Sequence, residues 1–137
     1  MNKREEQYNE LSFYTLSHQD SSFIHQHIVD AQIAQIADEK TKAISITFSL
    51  VGLYLYVEKD FTGRQVQQFH MEMAKNKRQW PKIVLPAKRG EINVSDVLAV
   101  SPGQERDNMI CKWCESVWDA YIDNRTTIVN LVEQLKT

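Results

Sequence analysis

The sequence predicts an all-α fold: a single-domain helical bundle of five to seven helices with a long extended strap at about residues 76–94. Apolar residues recur at helical spacing through most of the chain, and two capping-box patterns mark helix starts. Two prolines bracket the centre of the strap, where each disfavours helix in the residue before it. A chain of 137 residues suits one domain spanning residues 1–137.

The first three helices follow from spacing and from the absence of strand partners. Residues 5–16 carry apolar side chains at helical spacing without Pro or Gly, which predicts an amphipathic helix. Asp20 or Ser21 offers an N-cap for a second helix that runs to about Ala37. Residues 43–57 alternate partly like a strand, but a hairpin there would have no sheet to join. A buried third helix is therefore predicted.

The second half of the chain has clearer start signals. Thr62 and Gln65 form a capping box for a fourth helix. After the strap, Ser95-Asp96 can start a short helical turn. The segment Ser101-Pro102-Gly103-Gln104 reads as another capping box, with proline at the first helical position of a long helix. Asp123-Asn124 breaks that helix before a last one.

Composition and charge exclude several classes of protein. Hydrophobic residues make up 42% and charged residues 25%, and the net charge is −2, which gives no global attraction to nucleic acid or acidic membranes. The longest apolar stretch, residues 43–57, is too short for a membrane span. The polar start of the chain argues against a signal peptide, so we expect a cytoplasmic location and no membrane partner.

Ionisable residues in the second helix are the best candidates for a functional site. His27 lies in an apolar sector of that helix, and Asp30 lies one helical turn further on. His70 falls on the apolar stripe of the fourth helix. Burying such groups is costly unless they pair or bind something. They form a predicted binding pocket together with Tyr54 and Trp113, although an aromatic set at helical spacing is more often core.

Two interpretations of this cluster remain open. In the favoured one, Asp30 accepts a hydrogen bond from His27 or caps a neighbouring helix, because buried polar groups are normally satisfied within the protein. In the other, His27, Asp30 and His70 bind a divalent transition metal, since helical bundles build metal sites from inward side chains. No His-x-x-x-His or Glu-x-x-His spacing supports the second interpretation.

Two further motifs favour structural roles. Cys111 and Cys114 form a C-x-x-C in the middle of a predicted helix, without the second pair that a zinc ribbon needs, so core packing of Cys114 is favoured. A basic stretch surrounds Trp80 and could contact RNA. We favour instead a solvated connection that Trp80 and Leu85 attach to the bundle. Its basic residues are Lys75, Lys77, Arg78, Lys82, Lys88 and Arg89.

One resemblance bears on the fold. The run from Phe23 to Ala31 (FIHQHIVDA), followed by Gln35 and by Leu50 to Leu55 (LVGLYL), resembles an uncharacterised bacterial family. That family shares a Phe-x-His-x-His-x-Val-Asp-Ala helix and a Leu-x-Gly-Leu-Tyr helix. The resemblance implies that residues 43–57 are helical, and it implies no activity. Some members carry an N-terminal cysteine pair that this chain lacks, so a metal on such a pair is not expected here.

Three functional hypotheses follow. The first is a small-molecule- or protein-binding module, with homodimer formation as an option, that uses a polar pocket near His27, Asp30 and His70. The second is a metal-dependent enzyme of the helical-bundle type with those residues as ligands. The third and weakest is an RNA-contacting protein that uses the basic strap. The sequence specifies neither a ligand nor a reaction.

Overall fold

A computed structural model describes residues 2–18, 22–75 and 79–136, with only the backbone described for Lys136. Within these ranges the chain forms seven α-helices, one 3₁₀ helix and no strand, which confirms the predicted all-α class. The elements are α1 Lys3–Leu16, α2 His25–Ile36, α3 Ala43–Lys59, α4 Gly63–Lys75, α5 Val94–Leu98, α6 Gln104–Ala120, the 3₁₀ helix Ile122–Asn124 and α7 Arg125–Lys136. No described helix is long and apolar enough to cross a membrane.

The third helix, α3, lies at the centre of the packing. It contacts α2, α4, α6 and α7, and it buries nine residues between Ile46 and Leu55. A helix that is buried on every side needs apolar residues all round, which explains why the strand-like alternation of this segment is misleading. The prediction of helix over residues 43–57 is confirmed.

The start of α4 follows local chemistry. Thr62 N–H donates to Gln65 Oε1 at 2.9 Å, and Gln65 N–H donates to Thr62 Oγ1 at 3.1 Å, which confirms the predicted capping box. The start of α2 is different. Its first residue is His25, and the predicted N-caps Asp20 and Ser21 lie outside the described residues.

The capping box predicted for α6 at Ser101 and Gln104 is wrong. The helix begins at Gln104, and Gly103 precedes it with a φ of 105° and no side-chain cap. Tyr14 determines this geometry, because its hydroxyl accepts from Gly103 N–H at 2.9 Å and donates to Asp107 Oδ1 at 2.8 Å. A long-range contact has replaced the local cap.

The start of α5 also differs slightly from the prediction. The helix spans Val94–Leu98, so it begins one residue before the Ser95-Asp96 pair. Asn93 is its N-cap, and the Asn93 and Asp96 side chains bond to each other's backbone N–H in a capping box.

The connection from residue 79 to residue 93 contains neither helix nor strand, and the side chains of Asn124 and Gln35 attach it to the bundle. Asn124 accepts from Val84 N–H and donates to Val84 O, both at 2.8 Å. Gln35 donates to Ile92 O at 2.7 Å and accepts from the Trp113 indole at 2.9 Å. Residues 76–78 are not described, and Val94 already belongs to α5, so the strap over 76–94 as a whole stays a prediction.

Candidate functional site

A pocket of about 360 Å³ lies between α2, α3 and α4 and is the candidate site. Its polar lining consists of Gln26, Asp30, Ser45, Ser49 and His70. Its apolar lining consists of Val29, Ile33, Ile44 and Phe48. Two of the predicted site residues, Asp30 and His70, therefore share one pocket although they lie forty positions apart in the chain.

Asp30 of α2 is buried against α3. Its carboxyl group lies directly against Gly52, where a Cβ atom would sit 1.9 Å from Asp30 Oδ2 and 2.7 Å from Asp30 Cγ. Any larger residue would overlap the carboxyl group, so the absence of a side chain at Gly52 creates the space for Asp30. This contact explains why a glycine stands at position 52 of the Leu-Val-Gly-Leu-Tyr segment.

The Asp30 carboxyl group is only partly compensated. Gln26 donates from its amide to Asp30 Oδ1 at 3.2 Å, and Asp30 Oδ2 is buried without a hydrogen-bond partner among the described residues. Burial raises the pKa of Asp30 well above its ordinary value, and the Gln26 hydrogen bond offsets this only in part. The carboxyl group therefore takes up a proton more readily than an exposed one.

His70 has a defined hydrogen-bonding role. Its Nε2 lies 2.8 Å from Phe48 O, and because a carbonyl oxygen only accepts, Nε2 carries the hydrogen. Burial lowers the pKa of His70, which favours the neutral ring, while the bond to Phe48 O acts in the opposite direction. In the neutral ring with this tautomer, Nδ1 is an acceptor.

His27, Tyr54 and Trp113 do not line this pocket. The buried His27 ring stacks on Tyr56, with ring centroids 3.5 Å apart and planes 10° from parallel. Tyr54 packs near Trp118, with centroids 5.9 Å apart. All three are buried, and Tyr54 and Trp113 belong to the hydrophobic core, which is the structural interpretation that aromatic residues at helical spacing favour.

The metal hypothesis gains no geometric support. Within residues 2–18, 22–75 and 79–136, no group of three or more His, Cys, Asp or Glu side chains is arranged to hold a metal ion. His27 packs against Tyr56, whereas Asp30 and His70 line the pocket. Those two residues alone would be an incomplete ligand set for a transition metal.

The cysteine pair lies within α6. Cys114 is fully buried, and its thiol donates weakly to His27 O over 3.6 Å. Burial raises the pKa of Cys114 well above its ordinary value, which disfavours the reactive thiolate. Core packing, the favoured interpretation of this residue, agrees with its burial.

In the basic stretch, Trp80 is half-buried and packs edge-on against Phe48, with centroids 5.4 Å apart. Lys75 pairs with Glu72, and Arg89 donates to backbone oxygens. Lys77 and Arg78 lie outside the described residues. Trp80 and Leu85 pack on the core, as the structural interpretation of this stretch expects.

Four residues at the site were not predicted from the sequence: Gln26, Phe48, Ser49 and Gly52. Gln26 and Asp30 are four residues apart in α2, the spacing at which helical side chains interact, so this pair had a detectable signal. A lone glycine inside an apolar helix is a signal of close approach, and Gly52 fits it. Phe48 and Ser49 had no such signal, because their role depends on how α3 is rotated relative to α4.

These features define a helical bundle with a pocket between its second, third and fourth helices that Asp30 and His70 line. Residues 5–122 match the Family of unknown function (DUF5946), so the chain belongs to this family. The predicted membership of an uncharacterised family is confirmed. No curated protein and no solved structure matches the chain.

The contact between Asp30 and Gly52 can be tested with a double-mutant cycle. We expect Gly52→Ala to lower the free energy of unfolding by about 1–3 kcal/mol, because the new methyl group overlaps the carboxyl group. In an Asp30→Ala background the overlap is gone, and Gly52→Ala becomes neutral or stabilising through its helix propensity, by up to about 1 kcal/mol. Urea unfolding measures each step, with Asp38→Ala as a control background because Asp38 is exposed. If Gly52→Ala lowers the free energy of unfolding equally in the wild-type, Asp30→Ala and Asp38→Ala backgrounds, the contact is contradicted.

The pKa of Asp30 makes stability depend on pH. Because the folded-state pKa is raised, the stability associated with the protonated carboxyl group is complete below about pH 3.9 and is lost as the pH rises through the folded-state pKa. We expect Asp30→Asn to gain stability relative to wild type as the pH rises from about 4, by up to about 1.4 kcal/mol per pH unit. Urea unfolding across this range measures the difference; a gain that is constant with pH, or one that Asp38→Asn reproduces, contradicts the prediction.

Proposed function

We propose that this protein is a small-molecule-binding module whose ligand occupies the pocket between α2, α3 and α4. The observation that carries the proposal is the presence of Asp30 and His70 in one pocket, with a buried carboxyl group whose Oδ2 lacks a hydrogen-bond partner among the described residues. An under-satisfied buried carboxyl group costs about 1–3 kcal/mol, which a ligand that compensates it would recover.

The polar groups of the pocket point to a ligand that donates hydrogen bonds. The Asp30 carboxylate only accepts, and neutral His70 offers Nδ1 as an acceptor because its Nε2 hydrogen is used by Phe48 O. A primary ammonium group carries three donors and a positive charge, so it would satisfy both residues and favour the ionised form of Asp30. Gln26 contacts the same carboxyl group over 3.2 Å but adds no charge.

The apolar lining limits the rest of the ligand. Val29, Ile33, Ile44 and Phe48 offer only carbon atoms for contact. A volume of about 360 Å³ lies near the lower end of the range of about 300–1,000 Å³ for small-molecule pockets. We therefore propose a short aliphatic or aromatic amine as the ligand class.

The other hypotheses rank below this one. A metal-dependent enzyme would use His27, Asp30 and His70, but His27 stacks on Tyr56 rather than lining the pocket. RNA contact would use the strap, but Trp80 packs on Phe48 and is half-buried. Protein binding, homodimer formation and a cytoplasmic location remain proposals.

The test uses n-butylamine as the probe, with n-butanol and butyrate as neutral and anionic counterparts of similar size. We expect n-butylamine to raise the Tm of the protein in a saturable way, because a ligand that binds only the folded state stabilises it. The two counterparts should give smaller shifts, since neither supplies a cation to Asp30.

Three variants complete this experiment. Asp30→Asn should abolish the preference for the amine, and His70→Gln should weaken it, while Asp38→Asn, an exposed carboxyl group elsewhere, should leave it unchanged. Equal shifts from all three probes, or an amine preference that survives in Asp30→Asn, would overturn the proposal. Stoichiometric metal in the purified protein that is lost in His27→Ala would favour the enzyme hypothesis instead.

A further inference from the structure

A second pocket, of about 380 Å³, lies between α1, α2, α5 and the end of the strap. It shares no lining residue with the pocket at Asp30 and His70. Most of its lining is polar, and none of the described residues that line it is acidic. Its principal polar residues are Arg4, Gln7, Gln32, Arg89, Asn93 and Ser95. We refer to it as the arginine pocket.

Gln32 is the buried polar group of the arginine pocket. Its side chain lines the pocket while the residue is only 7% exposed. It makes no hydrogen bond with any other residue in the described part of the chain. The residue as a whole is buried while its unpaired amide lines the pocket, so this side chain is available to a ligand that enters the pocket.

Arg89 presents a pre-oriented guanidinium group. Its Nε donates to Pro86 O at 2.6 Å, and its Nη1 donates to Ala37 O and to the Tyr121 hydroxyl. Nη2 makes no hydrogen bond with the described residues. Because the other two nitrogens hold the group in place, a ligand that bonds to Nη2 would lose little side-chain entropy.

Arg4 supplies the second positive charge from α1. It is exposed and forms no ion pair within the described residues, so its charge is not neutralised by the protein. Two guanidinium groups without a carboxylate in the lining create a local positive potential in a protein whose net charge is −2. Guanidinium groups match carboxylate and phosphate oxygens in geometry and charge.

We propose that the arginine pocket binds a small oxyanion-bearing molecule, with Arg4 and Arg89 contacting the anionic group and Gln32 hydrogen bonding to the polar body beside it. The site is independent of the pocket at Asp30 and His70, because the two pockets have no lining residue in common. Carboxylate and phosphoryl ligands present the same chemistry to these residues.

The test is a titration of the full chain, followed by ¹H–¹⁵N NMR, with inorganic phosphate and with succinate at constant ionic strength. We expect saturable shifts of the Gln32 side-chain amide and of Arg89 Nε–H with at least one probe, and the probe that saturates identifies the class of oxyanion. Arg4→Gln and Gln32→Leu should each weaken the binding about tenfold, which corresponds to about 1.4 kcal/mol.

Lys3→Gln is the matched control, because it removes a neighbouring charge on the same helix from a residue that does not line the pocket. It should leave the affinity unchanged. The proposal is overturned if the shifts are linear with both probes, if they equal those in matched KCl, or if Lys3→Gln weakens binding as much as Arg4→Gln. The Asp30→Asn variant should bind phosphate or succinate normally, because Asp30 does not line the arginine pocket. Failure of the amine proposal therefore leaves this test intact.

Discussion

The packing of the Asp30 carboxyl group against Gly52 determines how closely α2 and α3 lie together. A carboxyl group stands where the Cβ atom of any other residue at position 52 would be. The candidate pocket opens beside this contact, so its shape depends on the same close approach. The contact also removes Asp30 from water, which raises its pKa and leaves it in need of a compensating donor.

The position of α2 is also fixed by α6 and the segment that follows it. Cys114 donates to His27 O, and the Tyr121 hydroxyl donates to Ala34 O at 2.6 Å. The Trp113 indole donates to Gln35, which in turn bonds to backbone oxygens at the end of the strap. These bonds hold α2 against α6, while Gly52 leaves room on α3 for the Asp30 carboxyl group. The proposed ligand would therefore meet a pre-formed site, which lowers the entropic cost of binding.

Much of the fold could be predicted from the sequence, because it depends on local signals. The capping box at Thr62 and the apolar character of residues 43–57 are properties of short segments, and both led to correct helices. The start of α6 could not be predicted, because Tyr14 acts on Gly103 from 89 residues away. The same limit applies to the site. Asp30 could be identified by its place one helical turn after His27, and His70 by its place on an apolar stripe. The rotation of α2 that turns His27 toward Tyr56 is a tertiary property.

The most direct test of this account is the titration of the Asp30 side chain itself, followed through its ¹³Cγ chemical shift by NMR. The account predicts a midpoint well above the ordinary aspartate value of about 3.9, and it predicts that a bound amine lowers that midpoint by favouring the charged form. A midpoint at or below the ordinary value would mean that water or another donor reaches the carboxyl group. In that case the tight enclosure of Asp30 by Gly52, and the ligand class inferred from it, would both be contradicted.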